Sequence, residues 1–167
     1  MNHDRRTVAA HERIIALLDR LGILYRTWEH RPVLNYGDAE LARQEAGFDG
    51  VESKAIVCNT DRGLVVYLTT ADQRMDQRAV KRLTGARSAR LAAPETLMEQ
   101  LGAVPGSAYP FGFAADIPIV VDPALYDLDK LLFSPALPTV TMQISGLDLR
   151  RILGAIGNDV LELPAKD

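Results

Sequence analysis

Apolar residues Ile14, Leu17, Leu18 and Leu21 recur at helical spacing between Val8 and Leu21, and Gly22 stands where a helix would stop. Ile23–Trp28 reads as a strand ending at Glu29-His30-Arg31-Pro32, and residues 37–46 predict a short helix closed by Gly47. The runs Lys54–Asn59 and Leu64–Thr69, joined by Thr60-Asp61-Arg62-Gly63, predict a hairpin. A helix is expected over Asp76–Leu83, stopped by Gly85, and then a short strand over 89–91. Pro94 suits the first turn of a helix running to Leu101, with Gly102 as its end. Ile117–Val121, Lys130–Phe133 and Thr139–Ile144 read as further strands. Ser145 caps a last helix with Asp148 at the capping-box position, and Val160–Leu163 is a closing strand. Strands and helices mix without the regular alternation of a doubly wound sheet. The expected fold is therefore α+β: one compact domain over residues 1–167, with a mixed, mainly antiparallel sheet and flanking helices. Residues 1–22 form an N-terminal helical extension in this reading.

Composition changes this picture little. The chain has 167 residues, 47% of them hydrophobic and 25% charged, as in globular domains able to bury a core. No apolar run approaches the roughly 18 residues of a membrane helix. The N-terminus runs directly into an amphipathic segment without a signal-peptide core, and the single cysteine fits a reducing compartment. The expected address is the cytoplasm, with no membrane partner.

Charge is more informative locally than globally. The net charge is −3, so the molecule as a whole is no general nucleic-acid binder. Between residues 74 and 90, however, six basic residues face one acid, Asp76. Arg74, Arg78, Lys81 and Arg82 fall at helical spacing on one expected face, either a solvated surface or a patch for phosphates.

Much conventional chemistry is missing from the pattern. There is no phosphate-binding Gly-rich loop, dinucleotide fingerprint or Gly-x-Ser-x-Gly elbow. His3, His11 and His30 lack metal-ligand spacing, so neither a metal nor another cofactor is expected. Cys58 lies within an apolar strand and reads as a core thiol.

The remaining candidates are Lys54, opening the hairpin, and the segment Gly106-Ser107-Ala108-Tyr109-Pro110-Phe111-Gly112. Gly106 permits close approach of backbone to a ligand, and Pro110 fixes φ and cannot donate. Taken with His30-Arg31-Pro32, Asp76-Gln77-Arg78, Val121-Asp122, Ser134-Pro135 and Leu147-Asp148-Leu149, these residues carry a resemblance. From about Tyr25 to Leu163 the chain closely resembles the YbaK/prolyl-tRNA-synthetase-associated domain, the family of free-standing aminoacyl-tRNA editing proteins.

The resemblance implies hydrolysis of mischarged aminoacyl-tRNA, typically tRNA(Pro) carrying alanine, cysteine or another small amino acid. It makes Lys54 the functionally important lysine and Gly106 to Pro110 the substrate-binding loop, with Lys54 and Gly106 the catalytic positions. It places Ser107, Ala108, Pro110 and Ser134 against the substrate and His30 near it. Tyr109 and Phe111 either line the pocket or pack beneath the loop. Asp122 before Pro123 reads as a strand-ending turn residue. The implied partners are the 3′ end of an aminoacyl-tRNA, through Arg74, Arg78, Lys81 and Arg82, and prolyl-tRNA synthetase. A non-catalytic module binding tRNA or a synthetase is the alternative, and hydrolysis of an aminoacyl ester unrelated to tRNA is a third reading. Alanine-specific members commonly carry His-Pro followed by an asparagine where this chain reads Ser134-Pro135-Ala136-Leu137-Pro138.

Overall fold

The computed structural model describes residues 2–166, and of Tyr36 only the backbone. Helix α1 (Arg5–Leu21) is capped by the Asp4 carboxylate, which accepts from the Arg6 amide, and ends at Gly22 in the left-handed region. Its buried positions Thr7, Ala10, Ile14, Leu17 and Leu18 share one face, as the spacing requires. Strand β1 (Arg26–Glu29) follows, then α2 (Tyr36–Ala46), capped by Asn35. Strands β2 (Val51–Thr60) and β3 (Gly63–Thr70) form the predicted hairpin, with Thr60 paired to Gly63 and Lys54 to Thr69.

Helix α3 (Gln77–Thr84), strand β4 (Ala89–Leu91) and helix α4 (Pro94–Leu101) come next. After β5 (Ile119–Val121), Asp122 caps a 3-10 turn over Pro123–Asp127 by accepting from the Ala124 amide, the turn role the sequence suggests. Strands β6 (Leu131–Phe133) and β7 (Val140–Ile144), helix α5 (Gly146–Ala155) and strand β8 (Val160–Glu162) complete the domain. The strand starting at Ile23 in the sequence reading begins instead at Arg26, because the Ile23 amide closes the end of α1 by donating to Leu18 O.

The sheet is mixed, in the order β1-β7-β6-β2-β3-β5-β8, with β4 also pairing β2. Four pairings are antiparallel and three are parallel: β2 with β6, β3 with β5, and β5 with β8. The long strand β2 decides where a site can form. Its first residues, Val51 and Glu52, pair β6, whereas from Ser53 onward it pairs β3. Beyond Leu132 the β6 chain leaves β2, so a crevice opens between Lys54 and Ser134. Helix α1 packs into the same core as the sheet, with Ile14 and Leu18 fully buried alongside Val66, Ile119 and Leu131.

Candidate active site

The crevice holds two abutting lobes. The outer lobe, about 650 Å³, is lined by His30, Arg43, Glu52, Lys54, Gly106, Ser107, Ser134 and Thr141, among others. The inner lobe, about 220 Å³, lies between the diverging strands and is lined by Ser53, Lys54, Ala55, Ile56, Gly106, Ala108, Pro110, Phe133 and Ser134. Lys54, Gly106 and Ser134 touch both. The outer volume suits a small-molecule-sized group, within the usual range of several hundred Å³.

Lys54 is half-buried and, among the described residues, has neither an ion-pair nor a hydrogen-bond partner. A lysine without an anion in a cleft is a cation waiting for one. In the same cleft, Val104-Pro105-Gly106-Ser107 forms a tight turn. The Ser107 amide donates to Val104 O at 3.0 Å, Pro105 occupies the second position, and Gly106 has φ 86°. That is the type II arrangement, which demands a left-handed residue after proline. A Cβ on Gly106 would come within 3.1 Å of Leu34 O. Among the described residues, the amides of Gly106 and Ala108 have no protein acceptor.

His30 lines the outer lobe, but both its nitrogens are engaged. Nδ1 lies 2.7 Å from Arg31 O and Nε2 lies 2.8 Å from Thr141 Oγ1. A carbonyl only accepts, so Nδ1 carries the proton, and Nε2 shares a hydrogen bond with the Thr141 hydroxyl, which can donate or accept. His30 therefore offers a fixed surface, reinforced by Phe48 at 5.9 Å between ring centroids.

Glu52 was not singled out from the sequence, although period two puts it on the Lys54 face of β2. It pairs with Arg43 at 3.3 Å. Burial pushes its carboxyl above the ordinary range, while the Arg43 guanidinium pulls the other way.

Of the two readings open for Tyr109 and Phe111, packing beneath the loop is the one the structure shows, and their expected role as substrate contacts is corrected. Tyr109 and Phe111 are fully buried and line neither lobe. The Tyr109 hydroxyl donates to Leu101 O at 2.6 Å, and Phe111 packs on Phe133 at 5.4 Å. Alternation along the extended loop sends them inward while Ala108 and Pro110 face the inner lobe. The basic residues also divide. Arg74 precedes α3, because Asp76 caps that helix, so it does not share the expected helix face. Arg74, Arg78 and Arg82 are exposed and Lys81 is half-buried, and none lines the cleft. In sequence α3 follows the cleft-lining Ala71 and Asp72, and its cap Gly85 lies beside the Arg62 guanidinium at the hairpin turn.

Helix α1 braces both walls from behind. Arg13 donates to Gly112 O at 3.2 Å and to the Tyr109 hydroxyl at 3.3 Å, and His11 Nδ1 lies 2.8 Å from Pro135 O. Cys58 is buried, and burial pushes its thiol up, which suits a packing role. Among the described residues, no group of three His, Cys, Asp or Glu side chains is placed to hold a metal ion, and no helix is long and apolar enough to cross a membrane.

Residues 35–152 match the model of the aminoacyl-tRNA editing domain. The chain belongs to that family. It is 30% identical over 148 residues to the multifunctional Ser/Thr-tRNA deacylase ProXp-y of Escherichia coli (strain K12), covering 85% of this chain and 87% of that protein. It is 27% identical over 157 residues to the prolyl-tRNA editing protein ProX of Acetoanaerobium sticklandii, covering 89% and 93%. Among solved structures, a candidate trans-editing enzyme for prolyl tRNA synthetase superposes with a TM-score of 0.72 at 21% identity, over 94% of this chain and 98% of that one. The hypothetical protein APE2540 superposes at 0.75 and 19% identity, over 90% and 97%. At those identities, the structural neighbours speak for the fold alone.

Proposed function

We propose that the protein hydrolyses the ester of a mischarged aminoacyl-tRNA carrying a small amino acid, such as alanine, cysteine, serine or threonine. The observation that carries this reading is the half-buried Lys54, without a partner among the described residues, in one cleft with a proline-glycine turn whose Gly106 and Ala108 amides have no acceptor among those residues. An aminoacyl ester is intrinsically labile and has a vicinal ribose hydroxyl beside it. Catalysis therefore needs position and charge stabilisation more than a protein nucleophile. Lys54 anchors the terminal phosphate or the ester carbonyl as a point charge. The amides of Gly106 and Ala108 stabilise the oxyanion that forms as water attacks. Collapse of that intermediate breaks the acyl C–O bond and returns the ribose hydroxyl and the free amino acid. The inner lobe admits small side chains and excludes large ones by sterics.

The names of the relatives support tRNA as the partner and tRNA(Pro) as one acceptor; prolyl-tRNA synthetase as an associated protein and the cytoplasm as the place of action belong to the proposal. We read Arg74, Arg78, Lys81 and Arg82, on and just before the helix that follows the cleft-lining Ala71 and Asp72, as a basic track for the phosphates behind a bound 3′ end. Phosphate contacts of this kind weaken with salt.

The deciding experiment is a deacylation panel of alanyl-, cysteinyl-, seryl- and threonyl-tRNAs. Hydrolysis of at least one is expected, falling about 100-fold or more in Lys54→Ala while Tm is retained. Tight tRNA binding without turnover of any ester would make this a non-catalytic module. Charge reversal at Arg78 and Lys81 is expected to raise KM for charged tRNA while sparing an aminoacyl-adenosine. Equal effects on the two substrates would remove the track from the interface.

A further inference from the structure

The Ser134 Oγ is shielded from solvent and has no hydrogen-bond partner, alone in this among the described side-chain atoms. Leaving a buried hydroxyl unpaired costs about 1–3 kcal/mol, so native structures keep few of them. Packing does not call for an oxygen here. Ala55, Ile56, Ala108, Pro110 and Phe133 surround the inner lobe with apolar surface, and a methyl group would fill the same space.

The segment carrying Ser134 is also held unusually firmly. Pro135 and Pro138 fix φ on either side. Between them, Ala136 has φ 79° with its side chain fully buried. That left-handed conformation costs a non-glycine residue about 1–2 kcal/mol and persists only where the surroundings enforce it. His11 secures Pro135 O from behind. The freedom left at this wall is the Ser134 χ1 rotor, whose staggered wells can carry Oγ from its shelter toward the lobe.

Resting on the deacylase reading, we propose that Ser134 is a specificity-determining residue that reads a side-chain hydroxyl on the aminoacyl group. The favoured esters then carry a serine-type amino acid rather than an apolar one of equal size. Lys54 and Gly106 border both lobes, so an ester held between them directs the amino-acid side chain into the inner lobe. The other hydroxyl there, on Ser53, already donates to Leu132 O at 2.7 Å. An entering hydroxyl can both donate to Ser134 and accept from it, whereas a methyl leaves it orphaned. Sites that hydrogen-bond a substrate hydroxyl discriminate far more steeply than apolar pockets that sense one methylene.

The test uses one tRNA acylated in parallel with serine, alanine and 2-aminobutyrate, the last replacing the serine hydroxyl with a methyl at nearly constant shape. The wild-type protein is expected to hydrolyse the seryl ester at least about tenfold faster than the 2-aminobutyryl ester. In Ser134→Ala the ratio should fall to about twofold or less through a slower seryl reaction, with the 2-aminobutyryl rate and Tm retained. Ser134→Cys, which keeps the size and only a weak hydrogen bond, should fall between. A wild-type ratio near one, or a ratio unmoved by Ser134→Ala, overturns the proposal. Equal slowing of both esters overturns it too, because Ser134 would then hold the α-amino group that both share. If no ester is hydrolysed, the deacylase reading itself fails, a result distinct from hydrolysis without discrimination.

Discussion

The two walls of the cleft are built by different means. One wall joins Lys54 on β2 to the 104–107 turn, and what it offers a ligand is a charge and main-chain N–H groups. The other is the 134–138 segment, which offers a side-chain hydroxyl and a rigid shape. Charge and backbone donors meet parts of the substrate that every aminoacyl ester possesses. A single hydroxyl in a small apolar lobe meets the part that differs between amino acids. Reaction and selection are thus separable in this site, and substitutions on the two walls should fail in different ways.

Gly106→Ala strikes the first wall and carries the larger expected effect. An alanine there pays about 1–2 kcal/mol for φ 86°, and its Cβ meets Leu34 O at 3.1 Å. For a chain of this size, that corresponds to a Tm lower by roughly 3–6 °C. Displacement of the amides should slow all aminoacyl esters together, by about tenfold or more. A substitution that instead changes the preference among amino acids, leaving the fastest ester untouched, would merge the two walls into one.

The first wall was legible in the sequence because its devices are local. A proline followed by glycine specifies a turn, and Lys54 lies near the start of a hairpin whose register follows from a short loop. The second wall was legible only as a departure, Ser134-Pro135 in place of His-Pro. Nothing local predicts that Ala136 turns left-handed, because that conformation is enforced by burial against distant residues. Long-range packing also hid the role of α1. His11 and Arg13 lie more than 90 residues from Pro135 and Gly112, which they hold. Tyr109 and Phe111 were ambiguous for a related reason: alternation fixes that they share a side of the loop, but not which side faces the core. The α+β class and nearly every element were readable, since caps, glycine stops and apolar spacing all agree with the global fold. The basic track was readable in composition but not in shape, because the Asp76 cap excludes Arg74 from the helix.

A smaller effect separates two charges within the first wall itself. Among the described residues Lys54 has no partner, whereas Glu52, two residues earlier, is half-buried and paired with Arg43. Burial is the dominant influence on Glu52 and raises its carboxyl above the ordinary 4.5. The folded protein therefore holds that proton more tightly than the unfolded chain. Stability must then decline as pH rises from 4.5 through the raised value, with the full penalty present above it. Glu52→Gln, which cannot ionise, removes this slope. Urea unfolding at several pH values between 4 and 7 should show the variant gaining on the wild-type protein as pH rises. A difference that moves the other way would mean that the Arg43 pair outweighs desolvation, and that Glu52 is held ionised as firmly as Lys54 is left free.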